Sequence, residues 1–308
     1  MILVGGFNSA LDKFAEIDAI EPGAVLRLRN MRTLPGGKGL HVALACSTIG
    51  ASATLVGLVD DRNRKLFETT MSNAGGRFVG VNVNESIRTC LALRDSDGRT
   101  TELLEAGPEV SPALAATVLD TFHRAAAYAR FILLSGSLPR GFPPDTYATL
   151  ISELGRDRTL LDTSGAALDV GIDAAPWLVK PNRREAEEIV GFSIASPGDA
   201  ARAAAAIAAR GPRCVVVSLG AEGAVIWASD RALHVEAPNV TVRNTVGAGD
   251  CLLAGFAVGL LHGWAIEECG RQAVACGTAK VRHAETGMLR PADVEALMRA
   301  VKVTSLAA

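Results

Sequence analysis

The chain lacks the patterns that mark nucleic-acid-binding, membrane-bound and secreted proteins. Its 31 basic and 33 acidic residues are spread along 308 positions, with a net charge of -2, so a polyanionic or membrane-surface partner is not predicted. The longest apolar stretch, 252–266, contains His262 and is too short to cross a bilayer. No basic segment followed by an apolar one opens the chain, so a signal peptide is not expected.

Cysteine motifs are also absent. The six cysteines, at 46, 90, 214, 251, 269 and 276, include no CxxC pair and no zinc-finger spacing with histidine. An even number would allow disulfides, but several of these cysteines lie within apolar runs, as buried reduced thiols of the cytoplasm do. Aromatic residues are scarce at 5%, yet 49% of residues are hydrophobic, which is enough for a sizeable core.

Two common nucleotide-binding fingerprints are missing. A dinucleotide loop needs GxGxxG, but after Gly247 and Gly249 the third position is Leu252. A Walker A loop needs GxxxxGK[ST], but Gly37-Lys38 is followed by Gly39 and preceded by Arg32 at the first glycine position. Both folds are therefore excluded as explanations of the glycine-rich segments.

The order of apolar segments predicts an α/β protein. From about residue 112, alanine-rich helices alternate with short strands, which is typical of a parallel sheet covered on both faces; the strands are predicted at 131–134, 159–162, 177–180, 214–219 and 224–227. Two segments, 11–33 and 87–106, alternate in polarity instead, including edge-strand alternation at 25–29 and a hairpin break at 95–98. We expect them to form one small sheet within a single domain covering 1–308.

A glycine-rich segment, Asn244–Asp250, stands before an apolar helix predicted at 251–262. Glycines expose backbone N–H groups, and a helix N-terminus adds partial positive charge, so this segment suits phosphate oxygens. An aspartate repels an anion, so Asp250 would be out of place if binding were the only task. It makes sense as a base that takes a proton from an attacking hydroxyl. A plain glycine turn with Asp250 as a helix cap explains the segment equally well.

A second glycine-rich segment, Pro35–Ala43, places Gly36, Gly37 and Lys38 at the start of another predicted helix. Bare backbone and one cation suit an anionic or polyhydroxylated ligand. Taken alone, the segment could be a loop with a solvated lysine.

The two segments together, GGKG near residue 37 and GAGD two hundred residues later, resemble the ribokinase-like carbohydrate kinases, also called the PfkB family. Further matches follow in order over nearly the whole chain and resemble the phosphofructokinase and tagatose-phosphate kinase branch; they are Asn8–Asp12, Thr101–Pro108, Ser135–Pro139, Asp162–Gly165, Lys180–Asn182 with Glu185, and Ser218–Gly223. The resemblance implies a ribokinase-like α/β fold, with a mostly parallel central sheet and a small β lid. It also implies a homodimer formed through the lids.

The resemblance implies a role for each matching residue. Asp250 would be the catalytic base, and the N–H groups from Gly247 through Ala248 and Gly249 to Asp250 would bind the transferring phosphoryl group. ATP would be the donor, with Mg²⁺ held through water by Asn182 and Glu185. The ATP-contacting set implied by the family is Lys180, Asn182, Ser218, Gly220, Gly223, Thr245, Gly247, Gly249 and the region of Gly277.

Substrate contacts are implied for Asp12, Arg27, Gly36, Gly37, Lys38, His41, Arg88 and Glu105. Arg27, Lys38 and Arg88 match basic residues that hold a phosphate already on the sugar, although each alone could be a solvated charge. They predict a phosphorylated ketohexose, of the fructose 1-phosphate or tagatose 6-phosphate type. A free sugar, a nucleoside or a non-catalytic sugar-binding role remains the alternative.

His41 departs from the branch, which usually has asparagine at this position. The imidazole could be a core histidine or could face the substrate. In the second case, the substrate could be an uncommon anionic sugar.

Overall fold

A computed structural model describes residues 1–306, which form fourteen β-strands and ten α-helices. The strands in chain order are β1 (Ile2–Gly5), β2 (Ala10–Glu16), β3 (Arg29–Gly36), β4 (Ala53–Val59), β5 (Arg77–Asn82), β6 (Arg88–Arg94), β7 (Thr100–Leu104), β8 (Phe131–Ser135), β9 (Thr159–Asp162), β10 (Leu178–Val179), β11 (Cys214–Ser218), β12 (Ala224–Ala228), β13 (Arg231–Glu236) and β14 (Lys302–Leu306). The helices are α1 (Lys38–Thr48), α2 (Asp61–Asn73), α3 (Pro112–Ala126), α4 (Thr146–Leu154), α5 (Ala166–Asp173), α6 (Arg183–Val190), α7 (Pro197–Ala208), α8 (Ala248–Leu261), α9 (Ile266–Val281) and α10 (Pro291–Met298).

The larger sheet has ten strands in the order β14-β13-β12-β11-β10-β9-β8-β1-β4-β5. All pairs from β11 to β5 are parallel, and the three pairs from β11 to β14 are antiparallel. Strands such as β1 and β4 are buried along their whole length, as expected of parallel strands with helices on both faces. The predicted α/β class with a mostly parallel sheet is confirmed.

The smaller sheet has the order β3-β2-β6-β7, and we call it the lid sheet. β6 and β7 pair antiparallel across the turn at 95–98, as the polarity pattern predicted. The strand predicted at 25–29 is wrong for residues 25–28, because that exposed stretch is irregular and β3 begins only at Arg29. Alternating polarity without a neighbouring strand to pair with cannot make a strand.

The helix after the second glycine-rich segment begins earlier than predicted. α8 starts at Ala248 rather than at 251, because Gly247 adopts a φ of 85° and serves as its N-cap. Asp250 therefore lies inside the first turn of the helix instead of before it. α1 begins at Lys38, directly after Gly37, where the second glycine-rich segment predicted a helix to start.

The cysteines form no disulfides. All six are free, with Cys90 half-buried and the other five buried, as the apolar runs around them predicted. No helix within residues 1–306 combines the length and hydropathy needed to cross a membrane.

Candidate active site

The helices that begin in or after the two glycine-rich segments, α1 and α8, have no capping side chain at their N-termini. α1 follows Gly37, with a φ of 95°, and α8 follows Gly247. The first N–H groups of a helix have no intrahelical acceptor, and they carry the positive end of the helix dipole. In α8 these groups include the N–H of Gly249 and Asp250, so the start of α8 suits an anion.

A histidine joins two carboxylates in this region. His41 Nδ1 lies 3.0 Å from Oδ2 of Asp250, and His41 Nε2 lies 2.9 Å from Oδ2 of Asp12. The first contact has the geometry of a hydrogen bond, whereas the second is close but poorly aligned for one. His41 and Asp250 are buried, and Asp12 is nearly so. Residues from β2, α1 and α8 thus form one polar chain.

The charged forms of His41, Asp12 and Asp250 stabilise one another. Burial by itself lowers the pKa of His41, but the close contacts with the charged carboxylates of Asp12 and Asp250 outweigh it and raise the pKa to about 9. Burial raises the pKa of Asp250, but His41, Lys38 and Lys180 together hold it below its usual value. At neutral pH we therefore expect an ionised Asp250 beside an imidazolium.

Gly36 makes room for one end of this chain. A Cβ atom at Gly36 would lie 2.1 Å from the carboxyl carbon of Asp12, a distance that no side chain could accept. Gly36 is thus placed against Asp12, which explains glycine at that position in steric terms.

Asp162 pairs with two lysines next to the N-terminus of α8. Its Oδ1 lies 3.1 Å from Lys38 Nζ, and its Oδ2 lies 3.2 Å from Lys180 Nζ. Asp162 and Lys180 are buried, while the side chain of Lys38 is 41% exposed. A Cβ at Gly249 would lie 3.5 Å from Lys180 Nζ, so this ammonium group faces the start of α8. No role was predicted for Asp162, although the segment Asp162–Gly165 was among those that resemble the family.

A cavity of about 310 Å³ opens beside the N-terminal half of α8. Six of the nine residues predicted to contact the nucleotide line it, namely Ser218, Gly220, Gly223, Thr245, Gly249 and Gly277. Its apolar wall was not predicted and consists of Val240, Val242, Leu252, Val274 and Val281. An apolar cavity with a few polar groups at one end is the usual form of a site for a flat heterocycle. Gly247, Lys180 and Asn182 lie outside its lining.

Asn182 and Glu185, the residues predicted to organise Mg²⁺, form a capping box at the start of α6. Asn182 Oδ1 accepts a hydrogen bond from the N–H of Glu185 at 2.9 Å, and Glu185 Oε2 accepts one from the N–H of Asn182 at 2.8 Å. Glu185 retains its second oxygen, and its charge helps to raise the pKa of Lys38. Within residues 1–306, no cluster of three or more His, Cys, Asp or Glu side chains could cage a metal. Mg²⁺ usually keeps several waters and needs only one or two carboxylates, so the donors present fit a water-mediated ion.

The three basic residues predicted to bind a substrate phosphate have different surroundings. Arg88 lines an open cavity of about 410 Å³ with Glu105 and Arg140, and Arg88 Nε is buried without a hydrogen-bond partner in the described residues. Lys38 is paired with Asp162 instead. Arg27 is exposed in the irregular stretch before β3, and it lines neither this cavity nor the one beside Asp12. Arg140 was missed, although it directly follows the SGSLP segment.

A further cavity of about 240 Å³ lies between the lid sheet and the segment 284–286. Asp12 lines it, and Arg32 Nη1 bridges the same gap to Glu285 Oε1 at 3.0 Å. Asp12 therefore faces a space that the lid covers, on the opposite side of His41 from Asp250.

The comparison with known proteins matches the chain to the pfkB family carbohydrate kinases over residues 3–293. The chain belongs to the pfkB family of carbohydrate kinases. This kinase is 33% identical over 304 residues to a 1-phosphofructokinase of Xanthomonas campestris, covering 96% of each chain. It is 32% identical over 299 residues to a 1-phosphofructokinase of Escherichia coli, covering 96% of this chain and 95% of the other.

Solved structures agree with this assignment of the fold. Phosphofructokinase-2 from Escherichia coli in complex with substrates and products has a TM-score of 0.87 at 25% identity, with 97% of this chain and 98% of that chain covered. A possible 1-phosphofructokinase from Thermotoga maritima has a TM-score of 0.88 at 20% identity, with 99% of each chain covered. The predicted family, ribokinase-like fold and carbohydrate kinase activity are confirmed.

Proposed function

We propose that this kinase transfers the γ-phosphoryl group of ATP to a hydroxyl of a phosphorylated ketohexose, of the fructose 1-phosphate or tagatose 6-phosphate type. The observation that carries the proposal is the position of Asp250. Its carboxylate lies in the uncapped first turn of α8, beside the 310 Å³ cavity on one side. On the other side His41 connects it to Asp12, which lines the cavity under the lid sheet. A base between a nucleotide and a sugar is what phosphoryl transfer needs.

Each part of this region has a distinct task in the proposal. Asp250 accepts the proton of the attacking hydroxyl, and a carboxylate held ionised is ready to do so at neutral pH. The backbone N–H groups of Gly247, Gly249 and Asp250 stabilise the charge that develops on the phosphoryl oxygens, whereas the N–H of Ala248 already donates to the carbonyl of Thr245 at 3.1 Å. The adenine ring occupies the apolar cavity, with Ser218, Gly220, Gly223, Thr245 and Gly277 around it.

Two lysines and a water-held ion balance the phosphate charge in this arrangement. Lys180 faces Gly249, and Lys38 lies at the start of α1, so both can approach phosphate oxygens in the space between α1 and α8. Asn182 and Glu185 would hold Mg²⁺ through water from the N-terminus of α6. The ion would supply positive charge against the phosphate oxygens.

Arg88 supports the phosphosugar part of the proposal. Its buried, unpartnered Nε is a donor that could bind a phosphate oxygen. A buried donor without a hydrogen bond costs free energy. Arg140 and Glu105 line the same cavity. Relatives about 30% identical over nearly the whole chain are named 1-phosphofructokinases, which also favours a phosphorylated ketohexose.

We further propose that the chain is one kinase domain, with a lid formed by residues 11–33 and 87–106, and that two copies pair through their lids in the cytoplasm. Apolar side chains of the lid are exposed in the single chain; they are Val25, Leu26, Leu28, Met31, Leu34, Leu103 and Leu104. Covering such side chains with a second copy would remove apolar area from water. Arg27 lies among them, so we place it at this interface.

A substrate panel with product identification tests the proposed function. Purified protein is incubated with ATP, Mg²⁺ and one of several ketohexose phosphates, free hexoses or nucleosides. ADP release is measured, and ³¹P NMR identifies the product. We expect a bisphosphate only from phosphorylated ketohexoses. Turnover confined to free sugars or nucleosides would overturn the phosphosugar assignment, and ADP release independent of every acceptor would overturn the transfer itself.

A further inference from the structure

The imidazole of His41 is enclosed on every side. The residue is 4% exposed, its two nitrogens face Asp12 and Asp250, and its ring carbons rest on Gly287. A Cβ at Gly287 would lie 2.7 Å from His41 Cδ2, and Gly287 has a φ of 66°. The backbone at 287 thus approaches the ring as only glycine allows. Nδ1 is hydrogen-bonded to Asp250, and Nε2 is buried against Asp12, so neither nitrogen is open to a sugar hydroxyl.

We propose that His41 is a positioning residue that, as an imidazolium, holds the carboxylates of Asp12 and Asp250 ionised and aimed at one acceptor. The inference rests on the proposed function, in which Asp250 is the base. It changes the role implied for His41 by family resemblance, from direct contact with the sugar to control of the two groups that contact it.

The geometry divides the oxygens of Asp250 between two partners. Oδ2 receives the Nδ1–H of His41 at 3.0 Å, which leaves Oδ1 for the attacking hydroxyl. In the transfer, the hydroxyl oxygen forms a bond to the γ-phosphorus as the bond from phosphorus to the leaving oxygen of ADP breaks. The hydroxyl proton passes to Asp250. His41 neither gains nor loses a proton, so its charge stabilises the Asp12 carboxylate throughout and the Asp250 carboxylate until that proton arrives.

The charges around His41 favour the imidazolium. Three anions act on the space it occupies, namely Asp12 from β2, Asp250 from α8 and Glu102 from β7. The nearby cations interact with the charge of Asp250. They are Lys38 at the start of α1, Lys180 just after β10 and Lys280 from α9. Burial opposes a charge on the ring, but the two direct carboxylate contacts prevail and raise the pKa of His41 to about 9.

Asparagine, the usual residue of the branch at this position, can still form hydrogen bonds but carries no charge. His41→Asn therefore distinguishes the effect of the charge from that of hydrogen bonding. An amide has no positive charge, and its two N–H donors lie on one nitrogen, so it cannot reach carboxylates on opposite sides as the two ring nitrogens do. Without the imidazolium, two like charges face the same space, and one of them then takes up a proton more readily. His41→Asn should therefore fold and yet hold the two carboxylates less well.

Histidine NMR tests the protonation of His41 without any assay of activity. The protein contains five histidines, and the ¹⁵N resonances missing from His41→Asn identify those of His41. We expect both ring nitrogens of His41 to remain protonated at pH 8. In Asp250→Asn, which keeps the histidine, its titration should move down by about one pH unit or more. A neutral ring at pH 7.5 in the wild-type protein, or an unchanged titration in Asp250→Asn, would overturn the proposal.

The pH dependence of kcat/KM for the acceptor supplies the second readout. Wild-type activity should fall as pH rises through about 9, whereas His41→Asn should be roughly 10-fold or more less active at pH 7.5 and lack that decline. His262→Asn, a change at an exposed histidine, serves as the matched control and should keep the wild-type profile. An unaltered decline in His41→Asn contradicts the inference. Failure of Asp250 as the base would instead appear as normal turnover by Asp250→Asn, so the two failures can be told apart.

Discussion

The ammonium group of Lys280 donates a hydrogen bond to the backbone oxygen of Asn244 at 2.7 Å, inside the protein and with no exposed surface. Asn244 opens the glycine-rich segment before α8, and its side chain also accepts from the N–H of Val246 at 2.9 Å. Burial lowers the pKa of Lys280 to about 8. A charged group kept in such a place is costly unless it is paired, so Lys280 ties α9 to the segment that carries the anion-binding N–H groups.

Lys280→Met should loosen this segment. The substitution leaves the carbonyl of Asn244 unpaired, and an unsatisfied buried acceptor costs about 1–3 kcal/mol. We expect a lower melting temperature and a kcat reduced roughly 10-fold, because misplaced N–H groups stabilise the transition state less well. Thermal unfolding and steady-state kinetics check both expectations. Lys302→Met, at an exposed lysine of β14, is the control, and a Lys280→Met protein indistinguishable from it would refute the role.

Arg88→Ala should weaken binding of a phosphorylated acceptor and leave ATP binding unchanged. A hydrogen bond to a charged group contributes about 1.5–3 kcal/mol, so kcat/KM for the phosphosugar should fall by roughly 10- to 100-fold. The KM for ATP should stay within about twofold, since Arg88 lies outside the lining of the 310 Å³ cavity. Arg202→Ala, which removes an exposed arginine paired with Asp199 on α7, should change neither constant. Equal losses for phosphorylated and free sugars in Arg88→Ala would argue against a phosphate contact.

The stability that His41 confers should depend on pH. Its pKa is raised from 6.5 to about 9 in the folded protein, so the folded state binds more protons than the unfolded state between those values. The stabilisation is fully present below pH 6.5 and is lost as pH rises through about 9. Urea unfolding of the wild-type protein and of His41→Asn at pH 6, 7.5 and 9 should therefore show a difference in unfolding free energy that shrinks with pH. A constant difference would mean that the imidazolium contributes nothing.

The parallel sheet and the glycine-rich turns could be predicted because their signals are local. A run such as Phe131–Leu134 is apolar throughout, and only a strand buried on both faces suits it in this alternating pattern. Gly37 and Gly247 stand where the chain needs a positive φ before a helix. The predicted strand at 25–28 failed because alternation says nothing about whether a partner strand is available.

The contacts that define the site could not be predicted, because they join distant parts of the chain. His41 and Asp250 are 209 residues apart in sequence, and no local pattern shows that an imidazole will lie between two carboxylates. Nor could the sequence show that Lys38, one of three basic residues that looked alike, would pair with Asp162, which is 124 residues away. Val240 and Val242, in the irregular stretch before α8, carry no motif, and only folding brings them to the wall of the cavity.

The most direct test of Asp250 as the base compares the wild-type protein with Asp250→Asn. The quantity measured is the rate of ADP formation with fructose 1-phosphate. Removing a general base costs about 10²–10⁴-fold, so kcat should fall by that factor while calorimetry shows ATP binding little changed. The substitution removes the charge of Asp250 and keeps its size. A strongly reduced kcat with intact ATP binding is the predicted result. Near-normal turnover by Asp250→Asn, or no sugar-dependent ADP formation by the wild-type protein with any phosphorylated ketohexose, would contradict the account.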